Sequence, residues 1–494
     1  MTALASPRLA PPRAAFALLA TALALSGCAS LPKVQPAVTP LTADRLGLAD
    51  APPTLPAAGE WWHALGDPQL DRIMGDALAG NPSLDAAMAR LRLMQAGVDV
   101  QRAGLLPHAS VEGQESYQRL SENYLYPAPL GGTWRWLGSV QANLSWTLDF
   151  AGKQKALIDS QRGQADASAL DLAAARVSLS GAVAQAYINL ARAERQAEIA
   201  RRFVESRQQT LKIAQTRKRT GLGSDFDIRT DETLLAEARQ AQIRAEGARG
   251  MMLHALAALA GRGADYYATI GKTAIDLDKA LPVPDALPVD LLGRRADILA
   301  ARARIESADG LRRYARAQFF PSVNISAFVG LQAIGLGNLV DSGSRAYGGG
   351  PAIHLPIFEG GQLRAEYRGS VANIDSQIAS YNDLVVRAVK ECADALSAIA
   401  TNTADAQQQR AVVGGLTQTV HLNEVRVRTG LANSLDLLAS GDRLLQADQQ
   451  STDIAADGAI KRVQLLVAIG GSFDPATAPR TAAALPVEAG KSTP

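Results

Sequence analysis

The chain has little that several common functions require. Its 494 residues hold two cysteines, Cys28 and Cys392, so no disulfide framework is available. Fifty basic residues face 48 acidic ones, a formal net charge of +2, which gives no footprint for nucleic acid as a partner. The five histidines, His63, His108, His254, His354 and His421, show no metal-ligand spacing, and neither a phosphate loop nor a nucleophile elbow is present. No catalytic residue, metal or cofactor is therefore expected, and the chain reads as a non-enzyme. Aromatic residues make up only 5%. Proline is missing from two long tracts, between Pro129 and Pro282 and between Pro356 and Pro475. That absence favours long helices, because proline removes a backbone donor and breaks a helix interior.

The N-terminus carries a secretory pattern. Arg8 and Arg13 supply a positive region, Ala14 to Ala24 an apolar run too short to span as a mature helix, and Leu25-Ser-Gly-Cys28 follows. This ending resembles a bacterial lipobox, which implies cleavage before Cys28, diacylglycerol on its thiol and an acyl chain on its new amino group. Ala29 is not the aspartate of an inner-membrane retention signal, so outer-membrane lipid is the expected partner of the anchor. Residues 28–57 include six prolines and few apolar clusters, and read as a tether.

The rest of the chain is duplicated. Arg219-Thr-Gly-Leu-Gly-Ser-Asp-Phe-Asp227 recurs as Arg428-Thr-Gly-Leu-Ala-Asn-Ser-Leu-Asp436, Phe150-Ala-Gly as Phe358-Glu-Gly, and Leu105-Leu-Pro107 as Phe319-Phe-Pro321. The unit of about 210 residues far exceeds a solenoid repeat, so each copy is a structural half.

Each half contains a long helix with a heptad seam. Leu179, Val183, Ala186, Leu190, Ala193, Ala197, Ala200, Val204 and Leu211 alternate spacings of four and three, interrupted at Arg207. The second seam is Ala388, Cys392, Ala395, Ile399, Ala406, Val413, Leu416 and Val420, with polar breaks at Asn402 and Gln409. Cys392 is thus expected as a small buried seam residue. A helix over about 152–219 would be roughly 100 Å long. Shorter helices are expected to return over about 224–261 and 434–470, and others to precede over about 81–105 and 294–318. Two short helices end to end match one long helix in length.

Between the preceding and long helices the period changes to two. Trp136, Gly138, Val140, Ala142, Leu144, Trp146 and Leu148 alternate with mostly polar residues, as do Val323, Ile325, Ala327, Val329 and Leu331. A strand starting after Pro107 and a fourth marked by Pro351, Ile353, Leu355 and Ile357 complete two hairpins, with loops at roughly 119–133 and 333–345. Strands of this length with one apolar face suit a transmembrane barrel. Four cannot close one, and open edges are not tolerated in lipid, so either several chains share a barrel or the sheet is soluble. The lipoprotein address and the long helices favour sharing.

Several segments resemble the outer membrane factors of tripartite efflux pumps, the TolC-like channels, in their lipoprotein NodT branch. Leu291-Leu-Gly-Arg-Arg-Ala-Asp-Ile298 and Ala317-Gln-Phe-Phe-Pro-Ser322 carry the resemblance most strongly, with Ala296 in place of the family's proline. Trp61-Trp62, Gly66-Asp-Pro-Gln-Leu-Asp71 and Asn81-Pro-Ser-Leu84 add to it. The resemblance implies a mixed α and β fold, internally duplicated: a four-stranded share of a trimeric 12-stranded transmembrane β-barrel plus a long periplasmic α-helical barrel. The implied domains are a signal peptide at 1–27, a lipid-anchored tether at 28–57, a first repeat at 58–270 (hairpin about 107–149), an equatorial connector at 271–293, a second repeat at 294–473 (hairpin about 321–357) and a flexible tail at 474–494. The implied function is a passive exit duct for small toxic or antimicrobial compounds. The implied partners are two further copies of the chain, a periplasmic adaptor and an inner-membrane RND transporter. A protein-secretion duct and a pore-less coiled-coil lipoprotein scaffold remain alternatives.

The residues themselves explain the repeated loops as caps. Gly221 and Gly430 sit at helix C′ positions, and Ser224-x-x-Asp227 and Asn433-x-x-Asp436 read as N-caps with an acidic third residue. The resemblance adds a second role, making Thr220, Gly221, Leu222, Ser224, Thr429, Gly430, Leu431 and Ser434 adaptor-docking tips. It also makes Asp436 the pore constriction, although Ala439 replaces a second acidic position and Asp442 lies out of register. His354 is expected to face a lumen, Met251-Met252 to pack in a core, and Arg294-Arg295 to pair with Asp297 or Asp290 at a helix start.

Overall fold

In the computed structural model, the structure describes residues 32, 34–42, 44–46, 59–123, 128–284, 291–477 and 479. Cys28, Asp290, the signal and most of the tail lie outside the described residues. The helices are α1 (Pro68–Gly80), α2 (Pro82–Ala103), α3 (Lys153–Arg219), α4 (Asp225–Leu259), α5 (Leu291–Arg294), α6 (Ala296–Ala317), α7 (Gln362–Arg428) and α8 (Ser434–Ala468). The strands are β1 (His108–Arg119), β2 (Trp134–Leu148), β3 (Ser322–Ile334) and β4 (Arg345–His354).

The duplication is quantitative. Both long helices have 67 residues, both returning helices 35 and both preceding helices 22. Equal lengths follow from punctuation at equivalent places, since proline or glycine closes each helix in both halves.

The four strands form one antiparallel sheet in chain order. β1 pairs with β2 and β3 with β4 as hairpins, while β2 pairs with β3 from Leu137↔Ile334 to Leu148↔Val323, which unites the two halves. β1 and β4 are left as edges. The fourth strand differs from the alternation-based reading: it begins at Arg345, contains Gly348, Gly349 and Gly350, and ends before Leu355. Two causes are visible. Phe328 lies across Gly348, where a Cβ would fall 2.9 Å from its ring, so the glycine is covered by its cross-strand partner. Pro356 then denies the strand a donor and stops it.

The sheet belongs to a compact unit with the adjoining stretches of α2, α3, α6 and α7. There Ser160 and Ser307 hydroxyls meet at 3.1 Å across α3 and α6. Ala315, Phe319, Tyr367 and Val371 form a small apolar cluster.

The second unit holds the remaining helices and the main core. Val183, Tyr187, Ile188 and Leu190 of α3 are fully buried with Leu70, Ile73 and Met74 of α1 and Val463 and Leu465 of α8. Burial on α3 is therefore broader here than the heptad seam, because it takes neighbours on more than one side. The seam of α7 follows the expected spacing, and its polar breaks are used: Asn402 Nδ2 donates to Ile454 O at 3.0 Å and Gln409 Nε2 to Ala447 O at 2.8 Å. Cys392 is fully buried, and burial pushes its thiol up to about 11. Met252 packs against the core, but Met251 is exposed, so the pair is not uniformly internal. Helical geometry explains this, since adjacent residues point about 100° apart.

Helix α1 has no equivalent in the sequence reading. Asp67 caps it, its Oδ1 accepting from Gln69 N at 3.0 Å, and Pro68 occupies the first helical position. Part of the expected tether is held on α7: Asp375 Oδ1 accepts from Ala37 N and Val38 N at 2.8 and 3.0 Å, and Asn382 Oδ1 from Leu41 N at 2.8 Å.

Candidate functional site

The sheet has two chemically distinct faces. Cross-strand register places Val111, Val140, Ala142, Leu144, Val329 and Ala327 on one face, with Trp136 and Trp146 near its ends. Glu115, Arg119 and Arg345 are the charged exceptions on that face, and all three lie on edge strands. The other face carries Ser110, Glu112, Gln114, Gln141, Asn143 and Asn324. Asn324 Oδ1 accepts from Ser145 Oγ at 3.3 Å. His354 lies on this polar face, and His108 shares it at the other edge.

The apolar face has the height of a bilayer core. Trp136 and Trp146 are ten residues apart. At about 3.4 Å per residue they are separated by roughly 34 Å along the strand, or about 26 Å when tilted by ~40°, against a ~25 Å apolar band in membrane barrels. Tyr117 stacks on Trp134 (centroids 5.4 Å) and meets Trp136 (4.9 Å), a cluster of amphipathic rings at one margin. At the other margin Trp146 Nε1 donates to Leu105 O at 2.9 Å.

The repeated loops are built as the sequence suggests. Gly221 and Gly430 both take φ 76°, a left-handed conformation that glycine adopts without strain. Leu222 N donates to Arg217 O at 2.8 Å and Gly221 N to Lys218 O at 3.0 Å. Leu431 N and Gly430 N repeat the pattern onto Arg426 O and Val427 O at 2.7 and 3.1 Å. These are paired Schellman closures. Ser224 and Asp227, and likewise Asn433 and Asp436, then form reciprocal capping boxes that start α4 and α8. Two hydrogen bonds from Ser224 hold the Asp227 carboxyl below the usual carboxylate range.

The loops show three large apolar side chains to solvent among polar ones. Leu222, Phe226 and Leu431 are 72%, 78% and 73% exposed, while Thr220, Ser224, Thr429 and Ser434 are exposed beside them. Lys218 pairs with Asp225 only in the first loop, so the two tips are not equivalent. Phe226 was not singled out by sequence reasoning, because its position in the capped first turn looks internal until the helix orientation is known.

Asp436 and Ala439 are exposed on α8. Asp442 is not a free acid: it is 5% exposed, 2.9 Å from Arg207 Nη2 and 2.8 Å from Ser206 Oγ on α3. Arg207, which interrupts the first seam, is thereby explained as the partner of a buried carboxylate. Arg295 pairs with Asp297, as expected. Among the described residues there is no cluster able to hold a metal ion. His63 is held by Glu60 and Asp71, both at 2.7 Å, and His254 packs on the Tyr267 ring.

The sequence matches the family described as "Outer membrane efflux protein" over residues 73–262 and 287–471, one segment per repeat. It is 33% identical over 371 residues to the "Fusaric acid resistance protein FusA" of Burkholderia cepacia, covering 73% of this chain and 69% of that protein. It is 29% identical over 474 residues to the "Outer membrane protein OprJ" of Pseudomonas aeruginosa, covering 92% and 95%. Among solved structures, the outer membrane protein VceC of Vibrio cholerae is similar at TM-score 0.75 and 31% identity, covering 85% of this chain and all of that one. The CmeC outer membrane channel of Campylobacter jejuni, 21% identical at TM-score 0.79, shares the fold. These matches run through both halves and through the sheet that carries the apolar band, and on them the chain belongs to the outer membrane efflux protein family and is an outer-membrane channel of an efflux system.

Proposed function

We propose that three copies of this chain close one twelve-stranded barrel in the outer membrane and continue it as a periplasmic tunnel of α-helices, a passive exit duct for small toxic compounds. The observation that carries this reading is the four-stranded sheet with a bilayer-high apolar face and two unpaired edges. A sheet of four strands has no stable place in lipid alone, whereas three such sheets exceed the ~8-strand minimum for closure. Helices of 67 residues give ~100 Å of reach for the tunnel. Relatives named for resistance to fusaric acid and for toluene efflux support small organic molecules as cargo. The energy comes from an inner-membrane RND transporter joined through an adaptor, and Cys28 carries the lipid anchor.

In this assembly the loop tips dock the adaptor. Exposed Leu222 and Leu431, held by rigid caps, offer apolar knobs that the polar residues Thr220, Ser224, Thr429 and Ser434 frame, with Gly221 and Gly430 setting the turn. Leu222→Glu with Leu431→Glu is expected to abolish cross-linking to the adaptor in cells and drug resistance, while the heat-resistant trimer persists on gels. Retained resistance in that variant would count against tip docking.

Asp436 forms the constriction. Three copies on an axis repel one another and favour cations, as charged rings do. Asp436→Ala should raise single-channel conductance and weaken cation preference. Unchanged conductance and selectivity would remove Asp436 from the gate.

A further inference from the structure

We propose that the loop between β3 and β4, residues 335–344, lies in the outer leaflet as an apolar brim, with Leu336, Leu339 and Val340 against lipid acyl chains. This rests on the reading that the apolar face of the sheet meets lipid. Gly335, at φ 89°, turns the chain, and its N–H donates to Trp136 O at 2.7 Å. The loop then folds back over Gly138: a Cβ there would lie 3.3 Å from a Leu336 methyl and 3.5 Å from a Leu339 methyl. Both leucines therefore lie on the face that Gly138 shares with Trp136 and Val140, the apolar one. Gly138 is also nearer the middle of the strand than Trp136, so the loop returns toward the bilayer rather than away from it.

Two further features suit lipid contact. The loop satisfies much of its own backbone, with Leu339 N donating to Leu336 O at 3.2 Å, Asn338 N to Gly335 O at 3.3 Å and Ser344 Oγ to Asn338 O at 2.6 Å. Internal pairing is what a backbone near hydrocarbon requires. Leu336 and Val340 expose apolar side chains, 43% and 82% exposed, with the polar Asn338, Asp341 and Ser342 exposed beside them, and the loop starts from the aromatic margin through the Gly335 bond to Trp136 O. In the leaflet these apolar side chains widen the lipid-facing band.

The test uses the full-length trimer in phosphatidylcholine bilayers, with an environment-sensitive fluorophore on Val340→Cys, Ser342→Cys or Val329→Cys. Buried Cys392, its thiol pushed up to about 11, stays unlabelled. Quenching is read with lipid spin-labelled high on its acyl chain and with aqueous iodide. Labels at Val340 and mid-strand Val329 should be quenched several-fold more by the lipid probe, and the label at Ser342 more by iodide. A Val340 label that behaves like Ser342 while Val329 still reports lipid overturns the brim alone. A Val329 label quenched by iodide overturns the lipid-facing assignment and the brim with it.

Discussion

Gly310→Leu should leave no heat-resistant oligomer, and Gly310→Ala should already cost about 1–3 kcal/mol, the range for overpacking. Helices α3 and α6 meet at two glycines. A Cβ on Gly310 would lie 2.8 Å from Ser160 N and 2.9 Å from its Cα, and one on Gly163 would lie 2.9 Å from Ser307 N and 3.0 Å from Ala303 O. The obstructing atoms are backbone, which cannot rotate aside. Relief requires the helices to part, which would also strain the Ser160–Ser307 contact and the 3.1 Å hydrogen bond from Gln164 Nε2 to Ser307 Oγ. Gly247 of α4, with open space where its Cβ would be, is the control. Gly247→Ala should be neutral or stabilise by up to about 1 kcal/mol, because alanine is the better helix former. Thermal unfolding of the purified variants checks the contrast, and equal melting temperatures for Gly310→Ala and wild type would refute the close crossing.

The second large effect is expected at Arg295. Its guanidinium is largely buried and meets Asp297 through Nη2 at 2.8 Å and Nε at 3.1 Å, while Nη1 donates to Glu391 Oε2 at 2.8 Å and Ala468 O at 3.0 Å. One side chain thus ties the start of α6 to α7 and to the last turn of α8. The two carboxylates raise its proton affinity despite the opposing cost of burial. Arg295→Met should cost about 3 kcal/mol, the low end for breaking a buried pair, because Glu391 is more than half exposed. Arg295→Lys should recover only part of this, since an ammonium cannot reproduce the planar fork on Asp297. Denaturant unfolding distinguishes these outcomes. A methionine variant as stable as wild type would make the bridge incidental.

Legibility followed periodicity. The long helices, the two hairpins, the capping boxes and the α7 seam could be read because each repeats a short-range pattern that the backbone itself imposes. Helix α1 was not read, although Asp67-Pro68 is a recognisable start, because its thirteen residues offer only two turns of apolar spacing. The fourth strand was misplaced because three glycines carry no alternation, and the ring that covers the first of them, Phe328, is on another strand. Ion pairs behaved the same way. Arg295 with Asp297 was accessible as a neighbour, whereas Arg207 with Asp442 joins different repeats and appeared only as an interruption in one seam and as an acid out of register with Asp436. The gate assignment to Asp436 came by resemblance, and its capped, exposed position on α8 is compatible with an axial ring.

The most direct test of a shared barrel is single-channel recording of the purified full-length protein in a planar bilayer. The account predicts discrete, cation-favouring current steps from the heat-resistant trimer and none from the heat-dissociated chain. Stable membrane association of the trimer without any current steps would contradict it and identify a scaffold without a pore.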